Sequence, residues 1–462
     1  MSSDTHTRCV HFIGVGGVGM SGIARVAADS GMKVTGSDLN ASRYTEQLEE
    51  AGITVHIGHK AENVPEDCDV VVVSTAIPET NPELKAARER GIEVWQRAKM
   101  LAALGEGRKT LAAAGTHGKT TTSSMLASAI DALGLDPTFV VGGIVDAYQT
   151  NARSGKGDYY VVEADESDGS FLNLSPYAAL VTNVEADHLD HYAGGLQEIY
   201  DTFEKFLSSV ADEGACVVCG EDEGLFALAR RTGKRVLTYG FDESCDIRVE
   251  GYRHEGIASV FSLVFPDGDR IECRLKKNPG RHNVLNAAGV LGVVWSLGLD
   301  AAAAAEGVAA YTGVRRRFDL VGEAGGVTVV DDYAHHPTEI RATASAAAEL
   351  DFDRVVVLFQ PHRYSRTESL ADEFGSAFDA ADEVILMDVY AAGEAPIPGV
   401  SGQLIADAMR AHEGAPHVTY VPSRDDVLET VMSVIKPGDL FMTMGAGDVT
   451  RFAPRVVDEL SR

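Results

Sequence analysis

Apolar residues in this chain gather into short unbroken runs instead of alternating singly with polar ones. The runs are CVHFIGV (9–15), KVTGSD (33–38), VVVVST (70–75), TLAAAG (110–115), YYVVEAD (159–165), AALVTN (178–183), VTVVDDY (327–333), RVVVLFQ (354–360), EVILMDV (383–389) and DLFMTMG (439–445). Runs of this kind are strands buried on both faces, the signature of parallel sheets covered by helices. Helix-forming stretches separate them, among them SGIARVAADSG (21–31), TTSSMLASAIDALG (121–134) and the Ala-rich LDAAAAAEGVAAY (299–311). Strands alternating with helices predict an α/β protein. The composition shifts at ALGEGRK (103–109) and again at TGVRRRFDLVGEAGG (312–326), a basic run followed by a Gly-rich turn. These shifts divide the 462 residues into three predicted domains, 1–106, 107–322 and 323–462. No fixed-period repeat is present.

Composition narrows the picture. A formal charge of −29 opposes binding to nucleic acid. No stretch approaches the roughly 18 apolar residues of a membrane helix, so no membrane partner is expected. The first residues, MSSDTHTRCVHFIG, carry no basic segment ahead of a long apolar run. The expectation is therefore a cytoplasmic protein without a signal peptide. Cys216 and Cys219 form a C-x-x-C pair, but no second ligand pair lies at zinc spacing. They read as small buried residues of a strand.

Chemistry concentrates where the apolar runs end. After the first run, GVGGVGMSGIA supplies Gly14, Gly16, Gly17, Val18, Gly19, Met20 and Ser21, and then a helix. Glycines let the backbone approach a diphosphate, and the helix N-terminus offers N–H donors. Asp38, about twenty residues on, stands where an acid bonds a ribose hydroxyl in a dinucleotide fold. His56, His59 and Ser74 also follow strands and are candidates to face the same ligand. A nicotinamide cofactor and any other nucleotide diphosphate fit this pattern equally.

A second cradle, GTHGKTTT, spans Gly115, Thr116, His117, Gly118, Lys119, Thr120, Thr121 and Thr122. In a P-loop the backbone wraps the phosphates, the lysine reaches the β/γ oxygens, and the hydroxyl meets Mg²⁺. Ala113 stands where that pattern has its first glycine. Two later strand ends are acidic. EADESD holds Glu163, Asp165, Glu166 and Asp168; EADHLDH holds Asp187, His188, Asp190 and His191. Carboxylates bearing on phosphate oxygens imply a cation between them. Downstream, GRHNVLN offers Arg281, His282, Asn283 and Asn286, and RRRF offers Arg317. Asp331, Asp332, His335, His336, His362, Arg363 and Arg366 close two further strands, a set suited to a small anionic or zwitterionic molecule.

Taken in order, GVGGVGMSGIA, GTHGKTTT, EADESDGSFL, TNVEADHLDHY, GRHNVLNAAG, RRFD, DDYAHHPTE and FQPHRYSRT resemble the Mur ligase family of peptidoglycan synthesis over essentially the whole chain. The resemblance implies three domains: an N-terminal Rossmann-like UDP-sugar domain, a central P-loop ATPase-type domain and a C-terminal Rossmann-like domain that brings the amino acid. It implies ATP-driven joining of L-alanine to UDP-N-acetylmuramate, with Mg²⁺ at two sites, by a monomer or homodimer. It selects the UDP-sugar over a nicotinamide cofactor for the first cradle, with Asp38, His59 and Ser74 beside it. Lys119 and Thr120 correspond to the phosphate lysine and a metal ligand, Glu163 to the acid shared by two metals, and His188 to a ligand of the second. His282, Asn283 and Asn286 fall at the adenine, Arg317 at the γ-phosphate and Asp332 at the ribose. His335, Arg363 and Arg366 fall at the amino acid, with His335 the candidate base for its amine. Several relatives carry a carbamylated lysine about fifteen residues past the equivalent of His188. Ungapped counting reaches Phe203, with Lys205 nearby, and no such lysine is assigned here.

Overall fold

The computed structural model describes residues 8–186, 191, 192 and 194–462. The chain forms two compact units, one of residues 1–250, 262–273 and 285–311, the other of 251–261, 274–284 and 312–462. All ten predicted runs are strands.

The first unit contains one whole sheet and most of a second. In the first, β1 (Cys9–Ile13), β2 (Lys33–Asp38), β3 (Thr54–Ile57), β4 (Val70–Val73) and β5 (Glu93–Gln96) lie in the order β3-β2-β1-β4-β5, all parallel. Leaving β1, the chain first winds to one side and then crosses to the other. The crevice at the carboxyl end of β1 is therefore a switch point, where open α/β sheets bind ligands.

The second sheet runs β15-β14-β13-β12-β11-β10-β6-β9-β7-β8. Its strands are β6 (Lys109–Ala114), β7 (Thr138–Val145), β8 (Thr150–Arg153), β9 (Tyr159–Glu163), β10 (Ala178–Val181), β11 (Ala215–Cys219), β12 (Val236–Gly240), β13 (Ile247–Glu255), β14 (Ala258–Val264) and β15 (Arg270–Leu275). Register places the chemistry. Ala113 pairs with Glu163 on one side of β6, and Ala114 with Val181 on the other. Glu163, Thr182 and Asn183 thus end level with the loop that begins at Gly115. The helix Lys119–Ala132 is buried from Thr121 to Ile130, which its Ser, Thr and Ala side chains permit. Gly307 of the helix Ala301–Ala310 packs against it so closely that a Cβ there would lie 2.5 Å from the Ala132 methyl. The two sheets of this unit are tied at the first cradle: Asn151 of β8 donates through Nδ2 to the Val18 carbonyl at 2.9 Å. Cys216 and Cys219 are buried in β11, and burial pushes each thiol up to about 12. They are strand residues, as expected.

In the second unit, β16 (Asp319–Ala324), β17 (Val327–Asp332), β18 (Arg354–Phe359), β19 (Glu383–Met387), β20 (His417–Val421) and β21 (Asp439–Met444) form a sheet in the order β16-β17-β21-β18-β19-β20. Only β16 runs antiparallel to its neighbour. Apolar cores cover both faces, one around Phe359, Phe374 and Phe378, the other around Phe441 and Phe452. Among the described residues no helix is long and apolar enough to cross a membrane.

Candidate active site

The first cradle is a crevice of about 600 Å³ at the end of β1. Gly14, Gly16, Gly17, Gly19, Met20, Asp38, His59 and Ser74 line it. Val18 and Ser21 do not; Ser21 turns its hydroxyl to the Val18 carbonyl at 2.9 Å. His56 is likewise not part of the lining. Asp38 closes the loop, accepting the Gly16 N–H at 2.9 Å. The approach is tight enough that a Cβ on Gly16 would meet Asp38 Oδ2 at 2.9 Å. Arg97 also lines the crevice and is a residue that motif reading missed. Its signal was its place directly after a strand, at the start of the helix Arg97–Ala103.

The second cradle is a P-loop in shape as well as sequence. Gly115 has φ +128°, and a Cβ there would stand 2.1 Å from Thr182 Oγ1. Gly118 has φ +85° and caps the helix Lys119–Ala132. Neither position admits a side chain without strain. The Lys119 ammonium donates to the carbonyls of Gly115 at 2.8 Å and Thr116 at 3.0 Å, and to Glu166 Oε1 at 3.0 Å. Ala113, the departure from the usual pattern, is a buried residue of β6 opposite Glu163.

Acidic groups crowd this lysine. Thr120 Oγ1 donates to Glu163 Oε1 at 2.9 Å, and the Gly142 N–H donates to Glu163 Oε2 at 2.6 Å. Burial raises the Glu163 carboxyl above its ordinary value, against the pull of Lys119. Burial likewise pushes Glu166 up to about 7. For Asp165, burial is outweighed by Lys119 and Ser167, which hold it below the usual range. Lys119 itself is raised, because Glu166 and Asp165 outweigh the cost of burying it. Three carboxylates around one ammonium leave negative charge uncompensated. Oxygen donors from Thr120 and Glu163 at this separation suit a hard divalent cation such as Mg²⁺. His188, Asp187 and Asp190 lie outside the described residues. Phe203 is fully buried, 5.2 Å from the Phe171 ring, and Lys205 is exposed.

The helix Arg281–Ser296 carries His282, Asn283 and Asn286 in its first turns. Asn283 donates to the Pro279 carbonyl at 2.9 Å and sits 3.0 Å from His282 Nε2. Burial pushes His282 down to about 4. Asn286 faces the P-loop: a Cβ on Gly118 would lie 3.1 Å from its Oδ1.

In the second unit, Arg317 pairs with Glu339 at 3.6 Å and stacks over Tyr333. Asp332 is nearly inaccessible. Its oxygens accept from the Phe318 N–H at 2.7 Å and the Ala334 N–H at 2.8 Å, and burial raises it to about 6. His336 is a helix cap, accepting from Thr338 N–H. His335 Nδ1 lies 3.0 Å from the Tyr333 carbonyl. A carbonyl only accepts, so Nδ1 carries the proton and Nε2 holds the lone pair. Burial first, and Arg366 after it, push His335 down to about 4. The His362 ring sits 5.8 Å from His335 and stacks on Tyr390. Arg363 starts the helix Tyr364–Ser369 at φ +71°, and Arg366 lies within that helix. His335, Arg363 and Arg366 are therefore drawn into one cluster, and His362, Tyr333 and Tyr390 complete it. Tyr390 had no motif to mark it; its place comes from a bridge between His362 and the chain after β19.

Family models match along the chain: Mur ligase family, catalytic domain at 9–109; Mur ligase middle domain at 113–294; and Mur ligase, glutamate ligase domain at 316–447. A UDP-N-acetylmuramate–L-alanine ligase of Thermobifida fusca is 50% identical, covering 98% of this chain and 96% of its own. One of Pelobacter propionicus is 46% identical over 98% of each chain. The solved structure of a UDP-N-acetylmuramate–alanine ligase from Thermotoga maritima superposes with a TM-score of 0.80 at 30% identity, covering 98% of this chain and 99% of that one. With models matched from residue 9 to 447 and relatives of this identity over nearly the full length, the chain belongs to the Mur ligase family.

Proposed function

We propose that this chain joins L-alanine to the lactyl carboxylate of UDP-N-acetylmuramate, with ATP converted to ADP and phosphate. The observation that supports it most is a pair of phosphate cradles of different chemistry in one unit. One is a glycine crevice without a lysine; the other is a P-loop whose lysine is enclosed by three carboxylates. A carboxylate is a poor acyl donor until its oxygen becomes a good leaving group. Transfer of the γ-phosphoryl group makes an acyl phosphate; the amine of alanine then attacks, and phosphate leaves.

Each residue has a task in this reading. Lys119 and Arg317 offset the charge of the transferring phosphoryl group. Thr120 and Glu163, with His188, would hold Mg²⁺, which supplies further charge neutralisation; two such sites are part of the proposal. His282, Asn283, Asn286 and Asp332 serve the nucleoside of ATP. Gly14–Ser21, Asp38, His59 and Ser74 hold the UDP-sugar. Arg363 and Arg366 pair with the alanine carboxylate, and the His335 Nε2 lone pair faces the amine as a proton acceptor. The domain limits 1–106, 107–322 and 323–462 belong to the same reading. The test is phosphate release from ATP over a panel of amine substrates. Release that requires both UDP-N-acetylmuramate and L-alanine supports the assignment. Faster turnover with L-alanyl-γ-D-glutamyl-diaminopimelate would move it to a peptide-joining ligase.

A further inference from the structure

Beneath the first crevice lies a polar cluster that no step above uses. Its centre is Glu83, fully buried in the first turn of the helix Pro82–Glu89. Asn81 Oδ1 caps that turn, accepting from the Glu83 N–H at 2.9 Å, so the carboxylate is anchored by its own backbone. Glu83 Oε1 accepts from Asn63 Nδ2 at 2.6 Å and from the Lys60 N–H at 3.1 Å. Its Oε2 accepts the Ser37 hydroxyl and lies 3.4 Å from both His11 Nε2 and His59 Nδ1. Burial works to raise this carboxyl, but the bonds from His11, Ser37 and Asn63 outweigh it and hold it at about 2. The group is an anion inside the protein. Among the described residues no lysine or arginine side chain pairs with it; its side-chain nitrogen partners are two imidazoles and the Asn63 amide.

Proton bookkeeping then orients His59. The single Ser37 hydroxyl proton is given to Glu83, so Ser37 Oγ accepts from His59 Nδ1 at 3.1 Å. Nδ1 therefore carries a proton and is turned inward, while the ring lines the crevice. Nε2 is the nitrogen left for a ligand there. In neutral imidazole with Nδ1–H, Nε2 is an acceptor for an O–H or N–H of the ligand. Asp38 and Arg97 are the charged groups at the crevice.

We infer that Glu83 is a positioning residue for the sugar-nucleotide site: through Ser37 it fixes His59 with Nδ1–H inward and so presents Nε2 to the sugar nucleotide in the crevice. This rests on the reading of the crevice as the UDP-sugar site.

Steady-state kinetics of the full chain, with UDP-N-acetylmuramate varied, test it in four variants. Glu83→Gln and His59→Ala are each expected to raise KM for the sugar nucleotide about tenfold, the upper end of what one hydrogen bond contributes. KM for ATP should stay within about twofold. In the double variant, Glu83→Gln should add less than about twofold to His59→Ala, since its effect runs through the histidine. Ser37→Ala keeps the charge but removes the bridge, and should raise KM about threefold; it serves where the Gln variant does not fold. A full tenfold addition in the double variant would overturn the positioning role and leave the site assignment standing. An unchanged KM in His59→Ala would overturn both.

Discussion

Replacing Glu166 with glutamine should change how the stability of this protein depends on pH, and the direction follows from burial. The folded carboxyl stands at about 7 against an ordinary value of 4.5, because burial outweighs the attraction of Lys119. A carboxyl raised on folding binds its proton more tightly in the native state than in the unfolded one. Its contribution is therefore fully present below pH 4.5 and is lost as pH rises through about 7. The gap between the two values corresponds to about 3 kcal/mol at 1.36 kcal/mol per pH unit. Glutamine cannot ionise, yet its Oε1 can still accept from the Lys119 ammonium. The Glu166→Gln protein should thus lack this loss. The quantity to measure is Tm of the variant minus Tm of the parent, without nucleotide or Mg²⁺, from pH 5 to pH 8.5. Taking the difference cancels every group common to both. It should climb toward alkaline pH, by about 6 °C at roughly 2 °C per kcal/mol for a unit of this size. A difference that stays flat, or falls, across that window would refute the claim that Glu166 is a buried acid held against its charge.

Lys119→Ala should leave a folded protein and lower ATP-dependent turnover about 10²–10³-fold, the usual cost of removing one donor to transition-state charge; near-normal turnover would remove the P-loop assignment. Gly115→Ala should cost at least about 2 kcal/mol of stability and weaken ATP binding, because the methyl would meet Thr182 Oγ1 and the backbone sits at φ +128°. Chemical denaturation and ATP titration check it, and a variant as stable as the parent would contradict the loop geometry. UDP-N-acetylmuramate at about 100 times its Kd should raise Tm by about 5 °C, from roughly 2.7 kcal/mol of linkage, while NADH leaves it unchanged. Arg366→Ala should raise KM for L-alanine about a hundredfold by removing a charge-assisted bond to its carboxylate; unchanged alanine kinetics would take Arg366 out of the site.

What the sequence made legible was set by locality. Every long apolar run became a strand, since burial on both faces of a parallel sheet leaves few polar positions within it. The glycines of both cradles were readable for the same reason: a turn's backbone demands are met by residues inside the turn. Residues whose role depends on a distant segment were harder. Glu166 stood in view among four acids, but its bond to Lys119 spans 47 residues and follows from the register of β6 against β9. Glu83 lies in TNPELKAA, which reads as an ordinary capped helix. Only the packing of that helix beneath β1 and β2 brings Ser37, His11 and His59 to it. Tyr390 was silent in the sequence, and the one signal of Arg97, its place after a strand, is too common to single it out.

The two cradles differ in a way that matches two kinds of phosphate. A diphosphate that is only held must be recognised without being made reactive. On the proposed reading the first crevice would do this with backbone approach at Gly14–Gly19, a loop closed by Asp38, and side chains such as His59 and Arg97 at its wall. No lysine lines it. A phosphoryl group that is transferred develops charge as it moves, and that charge needs a cation fixed beforehand. On the same reading the P-loop would provide one: the Lys119 ammonium is held by the Gly115 and Thr116 carbonyls as well as by Glu166. The carbonyl bonds keep it aimed at the loop, while the carboxylate is the partner that an incoming phosphate can replace, anion for anion. Glutamine at 166 leaves the carbonyl bonds intact and removes only the competing charge. The same substitution that flattens the pH profile of stability should therefore tighten Mg²⁺-free ATP binding, and weaker binding would mean that Glu166 holds the lysine in place for the nucleotide instead of competing with it.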